Sequence, residues 1–177
     1  MSGPIADQPL EEIVRLLPCE PGTYLLIMAG PRPGDGSKEI PIGKLGCLKL
    51  QPGFYFYAGS AHGPGGLRAR LGRHLRPNPT RRWHIDYLKS EAPIVAIWYL
   101  TGPRSDEHIS AAVLYRDLKA AIPLPRFGAS DCSCPAHLFF LEKRPELSRF
   151  VKHFEKRSGG AVITEINVQK DEERSGR

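Results

Sequence analysis

Short apolar runs rich in β-forming residues alternate along this chain with segments whose apolar residues recur every three to four positions. The first kind predicts strands and the second predicts helices. Thr23-Tyr24-Leu25-Leu26-Ile27-Met28, bounded by Gly22 and Gly30, predicts a central strand. Ile40 to Leu50 predicts a further edge strand interrupted by glycines, and the aromatic run Phe54-Tyr55-Phe56-Tyr57 after Pro52-Gly53 predicts another strand. Leu67, Leu71 and Leu75 then repeat at intervals of four, so the segment after the glycine-rich turn Gly59 to Gly66 is a helix with one apolar stripe. Trp83 to Leu88 predicts a short helical turn, and Ile94 to Leu100 a third strand. A helix from Ser105 or Asp106 to about Ala121 follows, closed by Pro123 and Pro125, and His137 to Leu141 predicts a last strand.

Pro9 to Leu17 has prolines at its borders and acids in its first turn, which predicts a short amphipathic helix. Pro145 to Arg157 predicts a C-terminal amphipathic helix, and from Asn167 the chain is charged and poor in apolar residues. The organisation expected is an N-terminal helical extension (1–20), a core (21–142), a C-terminal helix (143–160) and a disordered tail (161–177). The fold class is α+β, a small mixed or antiparallel sheet with flanking helices. With 177 residues, 41% of them hydrophobic, the chain is long enough for one well-buried core and too short for two full domains.

Charge sharpens this picture. The formal net charge is +6, and no acidic residue lies between Glu39 and Asp86, a stretch that holds Lys44, Lys49, Arg68, Arg70, Arg73, Arg76, Arg81 and Arg82. One-signed charge makes a local positive field and points to a polyanionic partner. No run of about 18 apolar residues occurs, and the N-terminus lacks a basic and apolar leader pattern, so no membrane association and a cytoplasmic location are expected. In that compartment Cys19, Cys47, Cys132 and Cys134 are expected as thiols or metal ligands.

Gly22-Thr23-Tyr24 on the first strand, Tyr57-Ala58-Gly59 at the end of a later one, and a following helix with Arg70 and His74 resemble the signature of the GIY-YIG nuclease superfamily. The blocks Gly53 to Ser60, Trp83 to Leu88 and Asp131 to Phe139 resemble more narrowly an uncharacterised prokaryotic branch of GIY-YIG-like, Uri-type endonuclease proteins. The resemblance spans roughly residues 21–142. It implies a metal-dependent endonuclease acting on DNA, or on RNA, with Tyr24, Tyr57, Arg70 and His74 as catalytic residues. One tyrosine would help to deprotonate or position the attacking water, and Arg70 would hold the charge on the phosphoryl oxygens. Gly59, Ser60, Arg68, Arg73, Arg76, Arg81, Arg82 and His84 are the expected nucleic-acid contacts, Gly59 by letting the backbone approach the substrate.

The resemblance also implies a divalent cation, Mg2+ or Mn2+, held by a glutamate in the helix after the third strand. The usual position falls near Val113 and Leu114, which are apolar, so the candidate ligands are Glu107 and Asp86, with His84 beside the latter. Cys132, Cys134 and His137 could form a structural metal site with Cys19 or Cys47 as the fourth ligand. Their spacing is not C-x2-C, and the expectation from sequence is reduced thiols without zinc. Two other readings stand beside the nuclease: a nucleic-acid-binding module on the same fold without efficient cleavage, and a zinc- or redox-linked regulatory domain centred on the cysteines.

Overall fold

A computed structural model of the chain describes residues 10–77 and 80–168, so the expectations for residues 1–9, 78–79 and 169–177 lie outside the described residues. Among the described residues the fold is α+β. Five strands form one antiparallel sheet: β1 (Gly22–Ala29), β4 (Phe54–Ala61), β5 (Ile94–Thr101), β6 (Leu138–Leu141) and β7 (Thr164–Asn167), in the order β6-β4-β1-β5-β7. β1 is the centre, and its near-continuous apolar composition follows from burial on both faces.

Alternation along β1 sorts its side chains into two cores. Tyr24, Leu26 and Met28 face one layer with Leu67 and Leu71 of α2 (Gly66–Leu75) and Ile85 and Leu88 of α3 (His84–Lys89). Ile13 and Leu17 close the same layer from the N-terminal helix α1 (Leu10–Leu16) and its end. Leu25 and Ile27 face the other layer with Trp98, Ala111 of α4 (Ser105–Ala112), and Phe150 and Phe154 of α5 (Leu147–Ser158). The leucine repeat of the basic helix is therefore its sheet-facing stripe, which leaves the intervening arginines outside.

Three departures from the sequence expectation have physical causes. Ile40 to Leu50 is not one edge strand but the hairpin of β2 (Lys38–Pro41) and β3 (Cys47–Leu50), a separate two-stranded sheet, because Gly43 and Gly46 take positive φ and reverse the chain. The helix after β5 ends earlier than expected: α4 passes into a π-helical turn at Val113–Asp117, with Leu118 N–H donating to Val113 O, and Lys119 then enters the left-handed region. The segment assigned from sequence to a disordered tail contains β7, which pairs with β5. Glu165 is its anchor, accepting from Trp98 Nε1 at 2.9 Å and pairing with Arg144.

No helix among the described residues is long and apolar enough to cross a membrane.

Candidate functional site

The antiparallel register places Tyr24 of β1 directly opposite Gly59 of β4, with Tyr57 two residues back on the same face of β4. A Cβ at position 59 would lie 2.4 Å from the phenol carbon and hydroxyl of Tyr24. Gly59 thus receives the Tyr24 ring instead of a substrate backbone. The ring reaches across it to α2, where the Tyr24 hydroxyl and His74 Nε2 form a hydrogen bond of 2.8 Å. The Tyr57 ring lies edge-on to His74 at 6.5 Å between centroids, and Trp83, just before α3, closes the cluster at 5.8 Å from His74.

The four residues the sequence singles out as catalytic therefore divide into two depths. Tyr24 and His74 are buried, 3% and 2% exposed, whereas Tyr57 and Arg70 are half-buried. Burial lowers the His74 imidazole to about 3, helped by the nearby Lys89 and Arg73 charges, so the ring is neutral at physiological pH. Burial likewise raises both phenols. For Tyr24 the neighbouring Tyr57 adds to the effect of burial, and for Tyr57 the Glu107 charge does, while Arg70 pulls both down without overcoming burial. Both hydroxyls keep their protons at neutral pH. His74 Nδ1 has no hydrogen-bond partner among the described residues despite being buried, so the Tyr24–His74 bond carries the whole polar demand of that ring.

The basic residues around this cluster have unequal roles. The Arg70 guanidinium lies 4.7 Å from the Trp83 ring centroid and the Arg73 guanidinium 3.5 Å from it. Arg73 also pairs with Asp86 at 3.1 Å. Arg68 donates from Nε and Nη2 to the carbonyls of Leu17 and Arg15, which fastens the C-terminus of α1. Arg76 pairs with Glu11 of the same helix. Arg68, Arg73 and Arg76, expected as nucleic-acid contacts, thus spend donors inside the protein. Arg81 and Arg82 are exposed at the entrance to α3, with Arg81 5.3 Å over Tyr87. His84 is committed to the loop behind the site, its Nδ1 accepting from Gly128 N–H at 3.1 Å.

Asp86 does not stand as a metal ligand. Its Oδ2 accepts from the backbone N–H groups of Trp83 and Arg82 at 2.9 and 3.0 Å and from Arg73, and Lys89 lies 3.8 Å from Oδ1. Burial alone would raise this carboxyl, but the two backbone donors and Arg73 more than offset it and hold it below its ordinary value. Two cations already beside it also oppose a third. Asp86 caps α3 and ties it to α2, which fixes Trp83 over His74.

Glu107 lies on α4 and bonds to Ser60 and to His137, the latter at 2.8 Å between Oε1 and Nδ1. His137 in turn has its Nε2 3.2 Å from Cys132 Sγ, and His108 Nδ1 is 3.2 Å from Cys134 Sγ. His108, Cys132, Cys134 and His137 each offer one ligand atom, and these atoms all lie within 4.8 Å of one another. The fourth member is His108, which the sequence did not single out; neither Cys19 nor Cys47 belongs to the group.

The fold and site together define an α+β domain whose central antiparallel sheet carries a tyrosine–histidine–arginine cluster on one face and a histidine–cysteine cluster near its end. The chain belongs to the family described as domain of unknown function DUF123, which matches residues 23–159, from the first residues of β1 to the glycine that ends α5. No curated protein and no solved structure matches it.

Proposed function

We propose that this chain is a cytoplasmic, GIY-YIG-like endonuclease that hydrolyses phosphodiester bonds in DNA, on the strength of the convergence of Tyr24, Tyr57, Arg70 and His74 from three separate elements on one face of the sheet. Phosphodiester hydrolysis needs little covalent chemistry from the protein and much positioned charge and hydrogen bonding, and the parts of this cluster suit that division. Arg70, half-buried beside Trp83, presents the planar fork that fits two phosphoryl oxygens. Tyr57, protonated and half-buried, donates to a phosphoryl oxygen or to the attacking water. Tyr24 and His74 lie behind and act by position, holding β1 against α2. Arg81 and Arg82 extend the positive surface beyond the scissile group.

The residues present fit a single divalent cation of the Mg2+ or Mn2+ kind through Glu107 alone. Its carboxyl is held below the ordinary value, because the hydrogen bonds from His137 and Ser60 outweigh the burial that would raise it, so it is ionised at neutral pH. A cation held by Glu107 would supply an activated water and neutralise charge on the phosphate.

The test is incubation of the full chain with labelled duplex, branched and single-stranded DNA in Mg2+, in Mn2+ and with chelator. The expected result is cation-dependent cutting of at least one form, with binding that weakens steeply as salt rises because each phosphate contact releases counterions. Absence of cutting on every form, in either cation, overturns the enzyme reading; salt-sensitive binding without cutting leaves the binding module in its place.

A further inference from the structure

We propose that His108, Cys132, Cys134 and His137 form a tetrahedral structural zinc site that fastens the 123–137 loop to α4 beside the Tyr57 edge of the sheet. The donors come from three places in the chain: His108 on α4, the two cysteines in the loop, and His137 just before β6. Their ligand atoms lie within 4.8 Å of one another, and the two sulfur–nitrogen pairs are each 3.2 Å apart. Around a tetrahedral zinc with Zn–S of about 2.3 Å and Zn–N of about 2.0 Å, a sulfur and a nitrogen are separated by roughly 3.6 Å. The observed spacings need movements of only a fraction of an ångström to about one ångström to converge on a common centre.

The surroundings are built as they are around metal-bound histidines. His137 Nδ1 donates to the Glu107 carboxylate at 2.8 Å, with Ala58 O a second acceptor at 3.3 Å. That fixes the tautomer in which Nε2, the nitrogen facing Cys132, carries the lone pair. The loop is held independently. Arg126, itself at positive φ, donates from Nη1 to the carbonyls of Cys132 and Cys134 at 2.9 Å each, and the backbone N–H groups of Arg126 and His137 donate to the carbonyls of Pro135 and Phe127. Both thiols are thereby turned toward the same point from which the imidazoles approach.

Four protein donors leave no open position, which marks the site as structural. The soft sulfur and imidazole set favours zinc over magnesium, calcium or manganese, which take oxygen. On binding, both cysteines lose their protons to solvent, and two thiolates balance the charge of one Zn2+. Glu107 then also positions His137 through Nδ1, in addition to the cation-holding role proposed for it. Gly128, at positive φ, lies where a Cβ would be 2.8 Å from the Tyr57 ring and 3.2 Å from His137 Cβ, so the clamped loop packs directly against Tyr57.

The full chain, produced in zinc-supplemented medium and purified without chelator, should carry about one zinc per chain by elemental analysis, with X-ray absorption giving two sulfur and two nitrogen neighbours at the distances above. Zinc should be lost in Cys132→Ser/Cys134→Ser and in His108→Ala, and kept in Cys19→Ser/Cys47→Ser. Because the first two variants could misfold, a second measurement uses the parent alone: metal-free protein titrated with Co2+ under reducing conditions should develop the thiolate charge-transfer and tetrahedral absorption of an S2N2 site, displaced by zinc one for one. Parent protein with sub-stoichiometric zinc and no such cobalt spectrum overturns the proposal, as does zinc that survives loss of both loop cysteines.

Discussion

Arg70→Ala is expected to slow DNA cleavage by about 100- to 1000-fold, the usual cost of removing one positioned group that meets developing charge, and to weaken DNA binding at the same time. The double effect follows from where Arg70 sits. It is half-buried on α2, 4.7 Å over Trp83, and among the described residues it forms no ion pair, whereas Arg73 and Arg76 pair with carboxylates and Arg68 bonds backbone carbonyls. Losing it removes a phosphate contact in the bound state and further stabilisation in the transition state. Arg70→Lys keeps the charge without the fork, so it should retain binding and its salt dependence while recovering only part of the rate. Single-turnover rates and equilibrium binding on the same DNA measure both arms. Cleavage and binding unchanged in Arg70→Ala would remove Arg70 from the site.

Asp86→Asn is expected to destabilise the protein by about 3 kcal/mol, because it leaves Arg73 and Lys89 beside a neutral group and weakens the cap of α3. The Asp86 side chain is 1% exposed and Arg73 is 27% exposed, so water can replace the lost partner only in part. For a chain of this size that corresponds to a fall of roughly 10 °C in Tm. The pH dependence has a definite sign. The folded-state pKa of Asp86 is depressed, so its contribution is present above the ordinary carboxyl range near 3.8 and is lost as pH falls through the folded value. The parent should lose stability in that acid window, and Asp86→Asn should lose less there. Denaturation of both proteins at neutral pH and across the acid range tests this; equal stability at neutral pH would show that Asp86 is not the tie between α2 and α3.

How much of this was readable beforehand depends on whether the cause was local. β1, β4 and α2 were legible because their hydrophobic spacing is strong, and the same spacing brought Tyr24, Tyr57, Arg70 and His74 to one face of the sheet. β7 was not, because Thr164-Glu165-Ile166-Asn167 carries a single buried apolar residue and is held by the partners Glu165 finds on β5 and in Arg144. The structural use of Arg68 and Arg76 was hidden for the same reason: their partners in α1 and at its end are 51 to 65 residues away in sequence. His108 gave no signal at all. It is an exposed histidine on a helix, 26 residues from Cys134, and only the return of the loop brings the two together. Glycine patterns told where the chain turns but not what fills the space, so Gly59 was legible as a close approach while the approaching group, the Tyr24 ring, was not.

The central claim is that a half-buried, protonated Tyr57 acts directly on the phosphodiester, and the rate of DNA cleavage by Tyr57→Phe relative to the parent tests it most directly. The substitution removes one hydroxyl from a ring packed against Phe127 and His74 and leaves that packing in place. Under single-turnover conditions with Mg2+ or Mn2+, the predicted result is unchanged DNA affinity and thermal stability with cleavage slower by about 100- to 1000-fold. A Tyr57→Phe protein that cuts as fast as the parent would contradict the account.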